Sequence, residues 1–194
     1  MDKKLTFRKV AVVLLMAVAY LATFILGATS GIIHPACYAY IGALLPLVFA
    51  LVYLNTCTII RGFGAATTLN GFIFVLFLIA GEADVTYIIG TVVLTALAEV
   101  LRKANGYGTL KGVHWSFVPF AFSFFAYTAH WWTDTEGSLA AAVDEMPADY
   151  DALMKPVIDN VPMLIMALVL TIPVAIFGMR LAERILRKRA EELE

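Results

Sequence analysis

Apolar positions along the chain gather into six long runs separated by short polar breaks. They predict helices over about 10–28, 36–60, 63–81, 85–101, 113–132 and 156–180. A helix of about 20 residues crosses roughly 30 Å of hydrocarbon, so each run is of membrane-spanning length. The link from Thr29 to Pro35 joins the first two, and Pro35 suits the first position of a helix, where a missing N–H costs nothing. Arg61-Gly62, Glu82-Ala83-Asp84 and Ala104–Gly108 supply the next breaks. Over 133–155 polarity takes over, with Asp134, Glu136, Asp144, Glu145, Asp149 and Asp151. That outer connection exceeds the ~12–15 residues usual for a structureless loop, which predicts a lid or a surface helix. The fold class expected is an all-α membrane protein: a single membrane-embedded domain built as a six-transmembrane-helix bundle.

Charge orients the bundle. With the N-terminus inside, the inner segments hold Lys3, Lys4, Arg8, Lys9, Arg61, Arg102, Lys103, Lys111, Arg180, Arg184, Arg187, Lys188 and Arg189. Every basic residue except Lys155 is then inside, as the positive-inside rule requires, and both termini are cytoplasmic. The basic start followed by an apolar run to Gly27-Ala28-Thr29 has the look of a secretory signal. Because the following chain is also membrane-spanning, a retained first helix is expected. Hydrophobic residues make up 61% and charged residues 15%. The latter lies well below the ~25% of soluble proteins, and a net charge of −1 argues against nucleic acid as a partner. Cys37 and Cys57 are expected in one helix, roughly 30 Å apart, too far to bridge. They read as apolar fillers.

Candidate chemistry concentrates in Val113–Trp132. Ser116, Phe120, Ser123, Tyr127 and His130 recur at alternating steps of four and three and so share one helical face. Two readings stand. The face lines a binding cavity, or its aromatics anchor the helix at the membrane boundary while its serines serve packing. On the first reading the substrate-binding set is His34, Phe120, Ser123, Tyr127, His130 and Trp131, the last as a lid contact. His34 and His130 both fall at the outer boundary, where they line the cavity or approach a haem iron. His114 sits at the inner start of the same helix. Neither a resident cofactor nor a metal site is expected. Glu99, the one intramembrane carboxylate well away from the outer surface, lies one turn before Arg102 and Lys103 and is expected to pair there.

The chain carries no H-E-x-x-H, G-x-S-x-G or G-x-x-x-x-G-K-[ST] pattern, so neither an enzyme nor a nucleotide-driven pump is expected. Besides helix five, Asn55 and Asn70 are the polar side chains at depth. A stand-alone channel or facilitator would need a more continuous polar lining, and it stays as an alternative, as does a structural subunit without a ligand.

Six helices in under 200 residues, the Gly31-Ile32-Ile33-His34-Pro35 link, Ala98-Glu99-Val100-Leu101-Arg102 and a basic C-terminal tail together resemble one family. It is that of the Trep_Strep integral membrane proteins, a group of substrate-binding S components of energy-coupling-factor (ECF) transporters. The likeness covers nearly the whole chain. It implies a multi-pass protein of a prokaryotic plasma membrane that captures a vitamin-like or other organic micronutrient outside. Delivery would follow docking on a transmembrane T component driven by two cytoplasmic ATPases. A haem-binding S component is the runner-up. S components often carry Ala-x-x-x-Ala on helix one for docking. Here no two alanines of that helix have the spacing, and Ala19, Thr23 and Gly27 form the small-residue stripe that would take its place.

Overall fold

The computed structural model describes residues 7–193, so Met1, Lys3, Lys4 and Glu194 of the orientation argument lie outside the described residues. Helix α1 (Phe7–Thr29) buries Val13, Ala17, Tyr20, Phe24 and Gly27, one stripe at alternating steps of four and three. Its other faces leave Leu14, Leu15, Val18, Ile25 and Leu26 exposed. A helix apolar on all sides, with only one stripe packed on protein, has the surface that hydrocarbon solvates.

The second predicted helix is bent. α2 (Pro35–Tyr40) starts at His34, whose Nδ1 accepts a hydrogen bond from the Ala36 backbone at 3.1 Å. A 3-10 turn over Ile41–Ala43 follows, and α3 (Pro46–Ile59) leaves at 45°. Pro46 has no N–H to continue the ladder, so the chain restarts there. Cys37 and Cys57 thus sit on two helices, not on one as expected, and both are free thiols. α4 (Ala65–Ala80) is bracketed by Gly64 and Gly81 at positive φ, 116° and 79°, where a side chain would be strained. α5 (Val85–Asn105) is capped by Asp84, whose Oδ1 accepts from Tyr87 N at 2.8 Å.

The stretch 113–132 is three pieces: α6 (Leu110–Phe120), α7 (Ser123–Thr128) and α8 (His130–Thr133). Pro119 gives no N–H back to the preceding turn, and the chain leaves α-geometry at Phe122 (φ −85°, ψ 1°) before restarting. The acidic connection is largely helical. α9 (Thr135–Glu145) is capped by Asp134, which accepts from Gly137 N, and α10 (Tyr150–Asp159) follows. α11 (Val161–Ile185), capped by Asn160, and the short α12 (Arg187–Ala190) complete the chain, so the last long helix starts at Val161 and not near Pro156.

Among the described residues, three helical segments are long and apolar enough to cross a membrane: Phe7–Ile32, α5 and α11. The bent α2–α3 pair makes a fourth if it counts as one crossing, and α4 is a shorter apolar helix. Inside the bundle, Tyr20, Phe49, Tyr53, Phe117 and Phe120 are fully buried and stack with ring centroids 4.6–6.5 Å apart. Their polar handles are satisfied internally. The Tyr20 hydroxyl donates to Asn70 Oδ1 at 2.9 Å, Asn70 Nδ2 donates to Thr95 Oγ1, and the Tyr53 hydroxyl donates to Ser116 Oγ at 2.8 Å.

At the opposite end from the acidic connection, Glu99 does not pair with Arg102. Its Oε1 accepts from the backbone of Gly64, Ala66 and Thr67 at 3.0–3.2 Å, the free donors that open α4. Arg102, with no exposed surface, donates instead to the carbonyls of Cys57, Ile60, Gly62 and Tyr107. The one-turn spacing was overridden because a helix start and a helix end, each with unmet backbone groups, converge on these two side chains. His114 on α6 bonds Glu183 on α11 nearby.

Candidate functional site

At the acidic end the elements leave a cavity of about 560 Å³, within the size range of small-molecule sites. The turn after α4 and the start of α5 form one side; α7, α8 and α9 form the other. Tyr38 reaches in from α2, and Tyr127, His130 and Trp131 come from the broken helix. The restart at Ser123 and the short α8 make this possible, because they bring three aromatic side chains round onto a single wall. Tyr38 stands edge-on to both Tyr127 and Trp131, with centroids 6.2 and 6.3 Å away. His130 lies 4.9 Å from the Trp131 ring. The mouth is polar: Glu82, Asp84, Thr86 and Asp134 line it.

Hydrogen bonds hold these parts in place. Thr86 Oγ1 and Thr133 Oγ1 are 2.8 Å apart and tie the start of α5 to the end of α8. Ser138 on α9 donates to the His130 carbonyl at 3.1 Å and lies 2.8 Å from His130 Nδ1. With the hydroxyl proton on the carbonyl, Nδ1 is the donor in the second contact. Trp132 Nε1 donates to Ile158 O, and the Tyr40 hydroxyl donates to Val157 O at 2.9 Å, fixing α10 over α8 and α2. Trp131 is only 2% exposed, and its indole N–H, close to the Tyr38 phenol, makes no hydrogen bond of good geometry.

A second hollow of about 540 Å³ lies between α4 and α5, walled by Phe63, Gly71, Phe74, Val92, Ala96 and Val100. Its open surface is mostly apolar, although Thr67, Thr91, Thr95, Glu99, Lys103 and Tyr107 also border it; Glu99 Oε1 is taken by the start of α4, and the acidic-end cavity, with its several charged and polar groups, is the candidate site.

A family model described as "Hypothetical bacterial integral membrane protein (Trep_Strep)" matches residues 7–191. The chain belongs to the Trep_Strep family. It is therefore an integral membrane protein of a bacterial family, in agreement with its apolar helices. No curated protein and no solved structure matches it.

In this Trep_Strep chain, three of the six residues singled out from the sequence, Tyr127, His130 and Trp131, line the cavity together. Phe120 and Ser123 lie on the same inward face but deeper. Phe120 is enclosed by Tyr20, Tyr53 and Phe117, and Ser123 donates its hydroxyl to Phe120 O at 2.6 Å. His34 is exposed, caps α2 and is not in the lining, so it does not converge with His130 on one ligand. Sequence reasoning missed Tyr38, Ser138 and the roles of Asp84 and Asp134. The two aspartates had a readable signal, since each directly precedes a helix as a cap. On α1, Ala19 and Thr23 are half-buried and Gly27 is buried. A Cβ on Gly27 would come within 2.8 Å of both Leu45 and Phe124, so its smallness lets α1 close on its own bundle.

Proposed function

We propose that the chain is a substrate-capturing S component of an ECF-type importer in a bacterial plasma membrane. The observation that carries the reading is the preformed aromatic cavity at the acidic end, fed from the side that the basic residues assign to the exterior. A small organic micronutrient with a flat ring system fits such walls better than a sugar or a free ion. The chain spans the membrane six times, with α4 and the broken α6–α8 as crossings besides the longer ones, and both termini are cytoplasmic. It catalyses no reaction. Energy comes from elsewhere, as the lack of a phosphate-binding loop requires, through a T component and two ATPases. The exposed faces of α1 and the Ala19–Thr23 stripe are available for docking. A channel is disfavoured because Asn70, Ser116 and Ser123 bond within the bundle and line no path.

Affinity purification from the native membrane tests the role. A T component and two ATPases are expected with the tagged chain in stoichiometric amounts; a chain that reproducibly comes away alone contradicts it. Orientation has its own check. Cysteine in place of Asp144, exposed on α9, should react with an impermeant thiol reagent in intact cells, while cysteine in place of Glu191 should not. The reverse pattern overturns the topology.

A further inference from the structure

We infer that the molecule captured in this cavity is an organic cation: a flat heteroaromatic ring bearing a positive charge. The inference rests on the capture role proposed above and adds the chemistry of the ligand. Two observations meet at one place. Among the described residues, the charged groups of the lining are Glu82, Asp84 and Asp134, with no Lys or Arg among them. Asp84 and Asp134 stand on facing elements, since the Thr86–Thr133 contact ties the residues next to them together. Each accepts from a backbone N–H through Oδ1, at 2.8 Å from Tyr87 N and 3.3 Å from Gly137 N, which fixes the carboxylate at the mouth.

Behind that rim the walls are aromatic. Tyr38 stands edge-on to Tyr127 and Trp131, at 80° and 87°, and Tyr127, the half-exposed ring of the three, is the one whose face a cation can meet. Carboxylates alone would suit a hydrated metal ion, and aromatic rings alone a neutral ring. A cation that is also flat and apolar uses both. An anion would face repulsion from three carboxylates, and its entry would gain nothing from the rings.

The test uses the purified full-length chain in detergent and three probes of nearly one shape: nicotinamide methylated on its ring nitrogen (a cation), nicotinamide (neutral) and nicotinate (an anion). Binding is read as quenching of tryptophan fluorescence, with Trp115→Phe as background to remove an exposed emitter. The cation should quench saturably, at least ten-fold more tightly than the other two, and the preference should weaken with salt. Asp84→Asn with Asp134→Asn should lower the cation's affinity at least ten-fold and leave the neutral probe unchanged. Asparagine caps a helix about as well as aspartate, so this pair removes charge and keeps the fold. Thermal unfolding at the wild-type temperature confirms that. Equal or tighter binding of the neutral or anionic probe overturns the inference, as does an unchanged affinity in the double variant. If no probe binds while the ATPases still co-purify, the cation class fails and the transport role stands. If the cation binds and no ATPase co-purifies, the cavity's chemistry stands and the transport role fails.

Discussion

Arg102→Met should unfold the end of the bundle opposite the acidic connection, at a cost of about 3–5 kcal/mol, the range for leaving buried polar partners uncompensated. The guanidinium is fully buried, and its Nη2 alone donates to the carbonyls of Cys57, Ile60 and Tyr107 at 2.6–3.1 Å. Those carbonyls belong to the end of α3 and to the α5–α6 turn, groups with no helical partner of their own. Met fills similar space but leaves them facing apolar side chains. Arg102→Lys should recover only part of the loss, because a lysine ammonium lacks the planar fork that reaches several carbonyls at once. Thermal unfolding in detergent checks both. A melting temperature within a degree or two of wild type for Arg102→Met would show that the carbonyls find water or other donors.

That site also shows where sequence reading stops. The apolar runs placed the helices because a membrane span must satisfy its backbone internally over its full length, and only a long helix does so. Breaks inside the runs left little trace. Pro119 and Pro46 are tolerated within apolar stretches, so a proline does not reveal whether the helix kinks, restarts or continues. Spacing within one segment suggested that Glu99 and Arg102 pair, yet each is claimed by a terminus of another helix, α4 and α3. No local pattern encodes that convergence.

The binding face was partly legible for a related reason. Helical periodicity reports which residues share a side, and Ser116, Phe120, Ser123, Tyr127 and His130 do turn inward. It does not report depth. Phe120 and Ser123 sit in the packed core, whereas Tyr127 and His130 are half-exposed at the cavity and Trp131 borders it while almost wholly buried. His34 looked like their partner because it shares the outer boundary, but its place before Pro35 makes it a helix cap. Tyr38 was missed since one aromatic among many in an apolar run carries no signal, whereas α9 meets the surface-helix alternative expected of the acidic connection, with Asp134 and an alanine-rich stretch as its local marks.

Closing the cavity should abolish capture altogether. Ala141 lies on α9, lines the cavity and is exposed, so an indole there takes up open space without crowding the core. Ser138→Trp reaches deeper and also breaks the bond to His130, which makes it the less conservative companion. The direct measurement is mass spectrometry of small molecules released by denaturing protein that was purified gently from native membranes. Wild-type protein should release one small organic molecule in near-stoichiometric amount. Ala141→Trp, folded as judged by an unchanged melting temperature, should release at least ten-fold less. Equal release from both proteins, or release from neither, would contradict capture at this cavity.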